Sequence, residues 1–104
     1  MAFGFPASVL EQIPTQADQQ TLAQVIPSVL GSLGWLNYQQ GPFQFSATVS
    51  AGLMSYGETI DINLGTPGMI YISSKCSFAM QMFDWGKNAR NIAMFVGRLN
   101  QHLG

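Results

Sequence analysis

Residues 58–76 have the sequence ETIDINLGTPGMIYISSKC, in which two alternating segments flank a short turn. The turn residues GTPG separate them, as is typical of a hairpin. Placing Leu64 opposite Ile70 sets Ile62 against Ile72, whereas a slip by one residue would mix apolar and polar faces. The sequence therefore predicts an antiparallel hairpin with one apolar face.

Two further strands are predicted before this hairpin. The segments WLNYQQ (35–40) and FQFSATV (43–49) are joined by the turn residues Gly41 and Pro42, and the second alternates cleanly. Residues 50–57 form a connection to the next strand. Four strands in succession with short turns indicate an antiparallel meander.

Helices are predicted on either side of the strands. Thr15 and Asp18 indicate a helix start, Pro27 predicts a kink or break, and Gly34 is a natural stop. Apolar residues recur at helical spacing in the first helix (Leu22, Val25, Ile26, Val29, Leu30, Leu33) and in the last (Ile92, Phe95, Val96, Leu99, Leu103).

The predicted fold is thus an α+β two-layer sandwich of order α-β-β-β-β-α. A four-stranded antiparallel meander carries the N- and C-terminal helices on one face. Residues 1–14 are expected to be an N-terminal arm with one helical turn, and residues 15–104 a single α+β domain.

Charge is scarce in this chain. Charged residues make up 9% of the 104 residues, against roughly 25% in typical domains. A surface with so little charge has weak self-repulsion, which favours a homodimer or a protein partner. The net charge of -1 disfavours nucleic-acid binding, which depends on Lys and Arg contacts to phosphate.

Location is predicted from the absence of targeting signals. The start, MAFGFPASVL, lacks the features of a secretory signal, and no apolar run approaches the roughly 18 residues of a membrane span. We therefore expect no direct membrane insertion. The single cysteine, Cys76, fits a reducing compartment, and we expect a cytoplasmic protein.

The stretch FDWGKNARNI (83–92) is the most distinctive motif. In a structural interpretation Asp84 caps the last helix, Trp85 anchors it, and Gly86 permits close approach. Asn88 and Asn91 would then tie the helix to loops through amide hydrogen bonds.

The alternative for the same motif is an anion site. Lys87 and Arg90 lie three residues apart near a helix N-terminus, which already favours negative groups. Asp84 opposes this interpretation because it occupies the position that a phosphate would take.

The order LGW–SYGE–IxIxL–IxISSKC–FDWGKNxxNI resembles an uncharacterised family of small bacterial α+β domains that end in a DWGKN-type helix start. The resemblance covers residues 20–103. It implies the α+β fold and no established activity. The chain differs from the family's pattern in Ala89 and Arg90, where Lys-rich residues are usual, and in its Gln-rich, Pro-interrupted first helix.

The sequence gives little support for a catalytic site or a metal site. One cysteine, Cys76, and one histidine, His102, fall short of a zinc site, and nothing in the sequence brings them together as a nucleophile and base. Cys76 is in phase with strand core residues, and His102 suits the last turn of a helix. We expect no catalytic residues, no cofactor and no metal.

Two functions remain open, and both are non-enzymatic. The first is an interaction module that binds a protein partner or itself, with the apolar run SFAMQMF (77–83) as a candidate surface that includes Met80, Met82 and Phe83. The alternative is a small-molecule binder with an apolar pocket between sheet and helices, where Lys87 or Arg90 holds an acidic head group. Hydrolytic or redox activity ranks third.

Overall fold

Five strands and two helices make up the part of the chain that the computed structural model describes, residues 8–49, 57–76 and 87–103. In chain order the elements are β1 (Ser8–Pro14), α1 (Gln19–Ser32), β2 (Leu36–Gly41), β3 (Gln44–Val49), β4 (Glu58–Asn63), β5 (Met69–Cys76) and α2 (Lys87–Leu103).

The strands form one antiparallel sheet in the order β1-β5-β4-β3-β2. Strands β2 to β5 are the predicted meander. β1 joins it beside β5, so the two edges of the described sheet are β1 and β2, and α1 connects them. The predicted register of the last hairpin is confirmed, because Ile62 pairs with Ile72 and Ile60 with Ser74.

The prediction of four strands is wrong, and the helical turn expected within residues 1–14 does not occur in their described part, residues 8–14. Residues 8–14 form β1, which pairs with β5 along its whole length. Val9 and Ile13 turn to the core side of the sheet and pack against it. Glu11 and Pro14 obscured this alternation, and an edge strand tolerates both residues because one side of it faces solvent.

Both helices pack on the same face of the sheet. Their apolar residues share one core with the inward-facing strand residues, and its fully buried members include Ile26, Leu30, Phe45, Ile60, Ile70, Ile72 and Phe95. The opposite sheet face, here called the outer face, carries Thr59, Asp61, Tyr71 and Ser73.

Asp18 and Gly34 mark the two ends of α1. Asp18 is the N-cap, and its Oδ1 accepts a hydrogen bond from the Thr21 backbone N–H at 2.7 Å. This bond holds the pKa of the Asp18 carboxyl below its usual value of 3.8. Gly34 has a φ of 78°, a conformation that favours glycine, and it ends the helix as predicted.

Of the kink or break predicted at Pro27, the break does not occur, because α1 is one continuous helix from Gln19 to Ser32. Buried neighbours on both sides of the proline, Ile26 and Val29, hold the helix against the sheet. Their packing offsets the backbone hydrogen bond that proline removes.

Candidate functional site

Four polar side chains lie inside the core between β4, β5 and α2. Glu58, Ser74 and Asn88 are 0% exposed, and Asn91 is 5% exposed. Burying such groups costs free energy unless they are hydrogen-bonded, so a cluster of this kind requires an explanation. We call these four residues the buried polar cluster.

The strand residues reach the core by alternation. Glu58 is in phase with the buried Ile60, and Ser74 is in phase with the buried Ile72. Because Ile60 pairs with Ser74 in the register, Glu58 and Ser74 are diagonal neighbours on the same face. The sheet therefore presents a carboxylate and a hydroxyl side by side.

The helix residues come from one face of α2. Asn88 and Asn91 are three residues apart, so they lie on the same side of the helix as Ile92 and Phe95, which are buried. The first turns of α2 therefore place two amides over the sheet, and the later turns place apolar side chains there.

Hydrogen bonds connect the four side chains. Ser74 Oγ donates to Asn88 Oδ1 at 2.7 Å. Asn91 Nδ2 donates to Glu58 Oε1 at 2.9 Å and approaches Ser74 Oγ at 3.3 Å. Glu58 and Asn88 make further interactions. The cluster thus joins two strands and the last helix through directional bonds in a region closed to solvent.

Chemically, this arrangement specifies the packing of α2 on the sheet. A helix docked one turn away would bury the same amides and carboxylate without partners, which is costly. The Glu58 carboxylate is itself buried, with 0% of the residue exposed. Among the described residues no group of three or more His, Cys, Asp and Glu side chains is placed to hold a metal ion.

Among the described residues, the side chains of Asn88 and Asn91 bond to strand residues. We expected loop residues, whereas Ser74 and Glu58 lie on strands. Glu58 and Ser74 were not predicted as members of a site. The alternation of the strands predicts that both side chains face the core, because both are in phase with inward-facing isoleucines. It does not predict which residue of α2 each of them contacts.

Most of the remaining predicted site residues lie outside the described part of the chain. Arg90 is exposed on α2, and it makes no hydrogen bond or ion pair within the residues described. The side chain of Lys87 lies outside the described part, as do Met80, Met82, Phe83, Asp84, Trp85 and Gly86.

His102 and Arg98 make hydrogen bonds near the C-terminal ends of the two helices. His102 is exposed in the last turn of α2, and its Nδ1 donates to the Arg98 carbonyl at 3.0 Å. Arg98 Nη1 donates to the Ser32 carbonyl and to Ser32 Oγ, both at 3.0 Å. Arg98 therefore caps the last turn of α1 from α2. The side chain of Cys76 is outside the described residues.

A groove of about 250 Å³ lies on the outer face of the sheet. Polar side chains line much of it, among them Gln44, Asn63, Tyr71 and Ser73. Its charged lining residue is Asp61, whose Oδ1 accepts from Ser46 Oγ at 2.6 Å. The groove is thus on the side of the sheet opposite the helices, where no pocket was predicted.

The edge strand β2 is the most exposed element of the sheet. Within the described residues it pairs with β3 and no strand lies on its other side. Leu36 is 76% exposed and Tyr38 is 56% exposed, and both point to the outer face because they pair with Thr48 and Ser46. Among the described residues, the unpaired edge of β2 therefore lies beside two exposed apolar side chains.

Comparison of the chain with protein-family models, with curated proteins and with solved structures gives no match. The resemblance to the bacterial α+β domains stays a prediction. Neither of the helices described is long and apolar enough to cross a membrane.

Proposed function

We propose that this chain is a non-enzymatic interaction module that binds a protein partner or a second copy of itself. The observation that carries the proposal is the edge of β2 that no described strand covers, with Leu36 and Tyr38 exposed beside it. Backbone N–H and C=O groups on such an edge are a template for another strand.

Proteins usually protect their edge strands, and the two edges of this sheet differ in that respect. β1 carries Glu11 and ends at Pro14, and both residues discourage pairing. β2, with the sequence LNYQQG, has no charge and no proline. A register shift between Gln39 and Gly41 disturbs the end near the turn and leaves the exposed Leu36 and Tyr38 in regular pairing.

The chain segment that contains β2 is also uncharged. No Asp, Glu, Lys, Arg or His occurs between Asp18 and Glu58, a stretch that contains α1, β2 and β3. The centres of protein interfaces are depleted in charged residues, and aromatic residues such as Tyr are enriched there. This side of the molecule has the composition of an interface.

The closed state of the buried polar cluster supports a non-enzymatic role. Its carboxylate and amides bond to one another inside the core and hold α2 in place. A catalytic carboxylate has to reach its substrate within hydrogen-bond distance. Glu58, at 0% exposure, acts on the fold instead.

Small-molecule binding is the second candidate, and the groove on the outer face favours it. The charged group of the groove is the Asp61 carboxylate, and Arg90 lies on α2, across the sheet from it. The groove therefore suits a neutral or cationic polar ligand better than the acidic one first expected. Its volume of about 250 Å³ is below the roughly 300–1,000 Å³ of typical ligand pockets.

Two exposed leucines provide a matched test. Leu36 lies on β2, and Leu10, which is 68% exposed, lies on the outer face of β1 at the opposite edge. We expect Leu36→Lys to abolish binding of a protein partner or of a second copy, and Leu10→Lys to preserve it. Affinity capture and sedimentation velocity measure the two cases. Equal loss in both variants, or a strict monomer that captures no protein, would contradict the proposal.

A further inference from the structure

We infer that a second copy of this chain pairs with β2 through its own β2, antiparallel and centred on Asn37, so that two sheets become one. This inference rests on the proposed function and narrows it to a single partner. The two-fold axis would stand perpendicular to the sheet, with the helices of both copies on the same side.

The apolar residues of β2 are self-complementary in this register. Leu36 and Tyr38 are two residues apart on the outer face, with Asn37 between them on the other face. An antiparallel copy centred on Asn37 sets Leu36 of each chain opposite Tyr38 of the other. Cross-strand pairs of this kind have Cβ atoms about 4.5–5.5 Å apart, so both exposed side chains become covered.

Other registers fit less well. A slip by one residue would turn one copy over and set Leu36 against a residue of the opposite face. A centre on Tyr38 would pair Leu36 with Gln40, which lies within the register shift between Gln39 and Gly41. The register centred on Asn37 keeps the regular part of the strand in the pair and avoids the irregular part.

Electrostatics favour a copy of the same chain over a charged partner. Two copies of a surface normally repel wherever like charges meet, but the segment from Gln19 to Gly57 carries none. α1 packs beside β2, and its side chains are equally uncharged. The uncharged residues of β2 and α1 offer no ion pair to a charged partner, and they meet a second copy of themselves without charge repulsion.

Cysteine cross-linking tests the register directly. In a Cys76→Ser background, Asn37→Cys would face its own copy at a Cα separation of about 4.5–5.5 Å, which a disulfide spans. We expect this variant to form a covalent dimer under mild oxidation at micromolar concentration. A mixture of Leu36→Cys and Tyr38→Cys chains should cross-link to each other, while each variant alone should not, since its two copies are too far apart.

Leu10→Cys is the matched control, because it places an exposed thiol on the other edge. Cross-linking of Leu10→Cys as fast as Asn37→Cys would mean random collision and would overturn the inference. Cross-linking of Tyr38→Cys alone would overturn the register. The absence of any covalent dimer, together with a monomeric wild type, would overturn self-pairing.

Hydrogen exchange keeps the test independent of any substitution. In the wild-type chain, the outward backbone N–H groups of β2 should become protected as concentration rises, and those at the free edge of β1 should not. Concentration-independent exchange at β2 contradicts self-pairing. The broader interaction function is judged separately, by whether Leu36→Lys loses a different captured protein that Leu10→Lys retains.

Discussion

Asn91 Nδ2 lies 2.9 Å from Glu58 Oε1, and this hydrogen bond joins α2 to the first residue of β4 where neither side chain has appreciable contact with solvent. Within the core, a bond of this kind contributes modestly when it is formed and costs much more when one partner is removed. The position of the last helix on the sheet therefore depends on polar as well as apolar contacts.

Replacing Asn91 with leucine should destabilise the fold by about 1–3 kcal/mol, because a buried donor to the Glu58 carboxylate is lost. Chemical denaturation followed by circular dichroism measures this change. Gln101→Ala, at an exposed position of the same helix, should stay within about 0.5 kcal/mol of wild type.

A double-mutant cycle separates this bond from general packing. Asn91→Leu and Glu58→Leu should show a coupling energy of about 0.5–3 kcal/mol, since the two side chains contact each other and each substitution removes one partner of the bond. Additive effects would mean that the Asn91–Glu58 bond does not contribute to the position of α2.

Ser74→Ala should destabilise the fold by about 1–2 kcal/mol, because it removes the hydroxyl that donates to Asn88 Oδ1 at 2.7 Å. Ser73→Ala is the matched control, since Ser73 is the adjacent serine and points to the outer face. Thermal unfolding of the two variants gives the comparison. A similar melting temperature for both would show that the Ser74–Asn88 bond is energetically neutral.

The sheet was largely predictable because one of its faces is apolar. A slip of one residue in the β4–β5 hairpin would set the isoleucines of one strand against polar residues of the other, so the pairing of Ile62 with Ile72 followed from the sequence. β1 was missed because Glu11 and Pro14 interrupt its pattern. Its pairing with β5 is a contact between distant parts of the chain, and local periodicity carries no information about it.

The buried polar cluster could be predicted in part. The phase of Glu58 and Ser74 on their strands, and the spacing of Asn88 and Asn91, follow from the two periods of the sequence. Which amide meets which strand residue depends on how α2 crosses the sheet. The angle at which α2 crosses the sheet is set by the packing of buried side chains such as Phe95 and Leu99. The helical and strand periodicities of the sequence do not predict this packing.

Arg98 and Arg90 offer a comparison of two cations on one helix. Arg98 donates twice to Ser32 at the end of α1, whereas Arg90 has no partner among the described residues. We expect Arg98→Ala to destabilise the fold by about 0.5–1 kcal/mol, a value reduced by solvent exposure, and Arg90→Ala to have little effect. Chemical denaturation of both variants measures this. A larger effect at Arg90 would indicate a contact that the described residues do not show.

Asp18 gives the fold a dependence on acid pH. Its pKa lies below 3.8 in the folded chain, because its carboxylate accepts the Thr21 N–H at the start of α1. A group whose pKa is lower when folded stabilises the fold above its unfolded pKa, and that contribution is lost as pH falls through the folded value.

Asn is also a good N-cap but does not ionise, so Asp18→Asn isolates the charge. We expect Asp18→Asn to be less stable than wild type at pH 7, with the difference vanishing below the folded pKa. Urea denaturation between pH 7 and pH 2 measures it, and a difference that does not change with pH would show that the Asp18 charge has no part in capping α1.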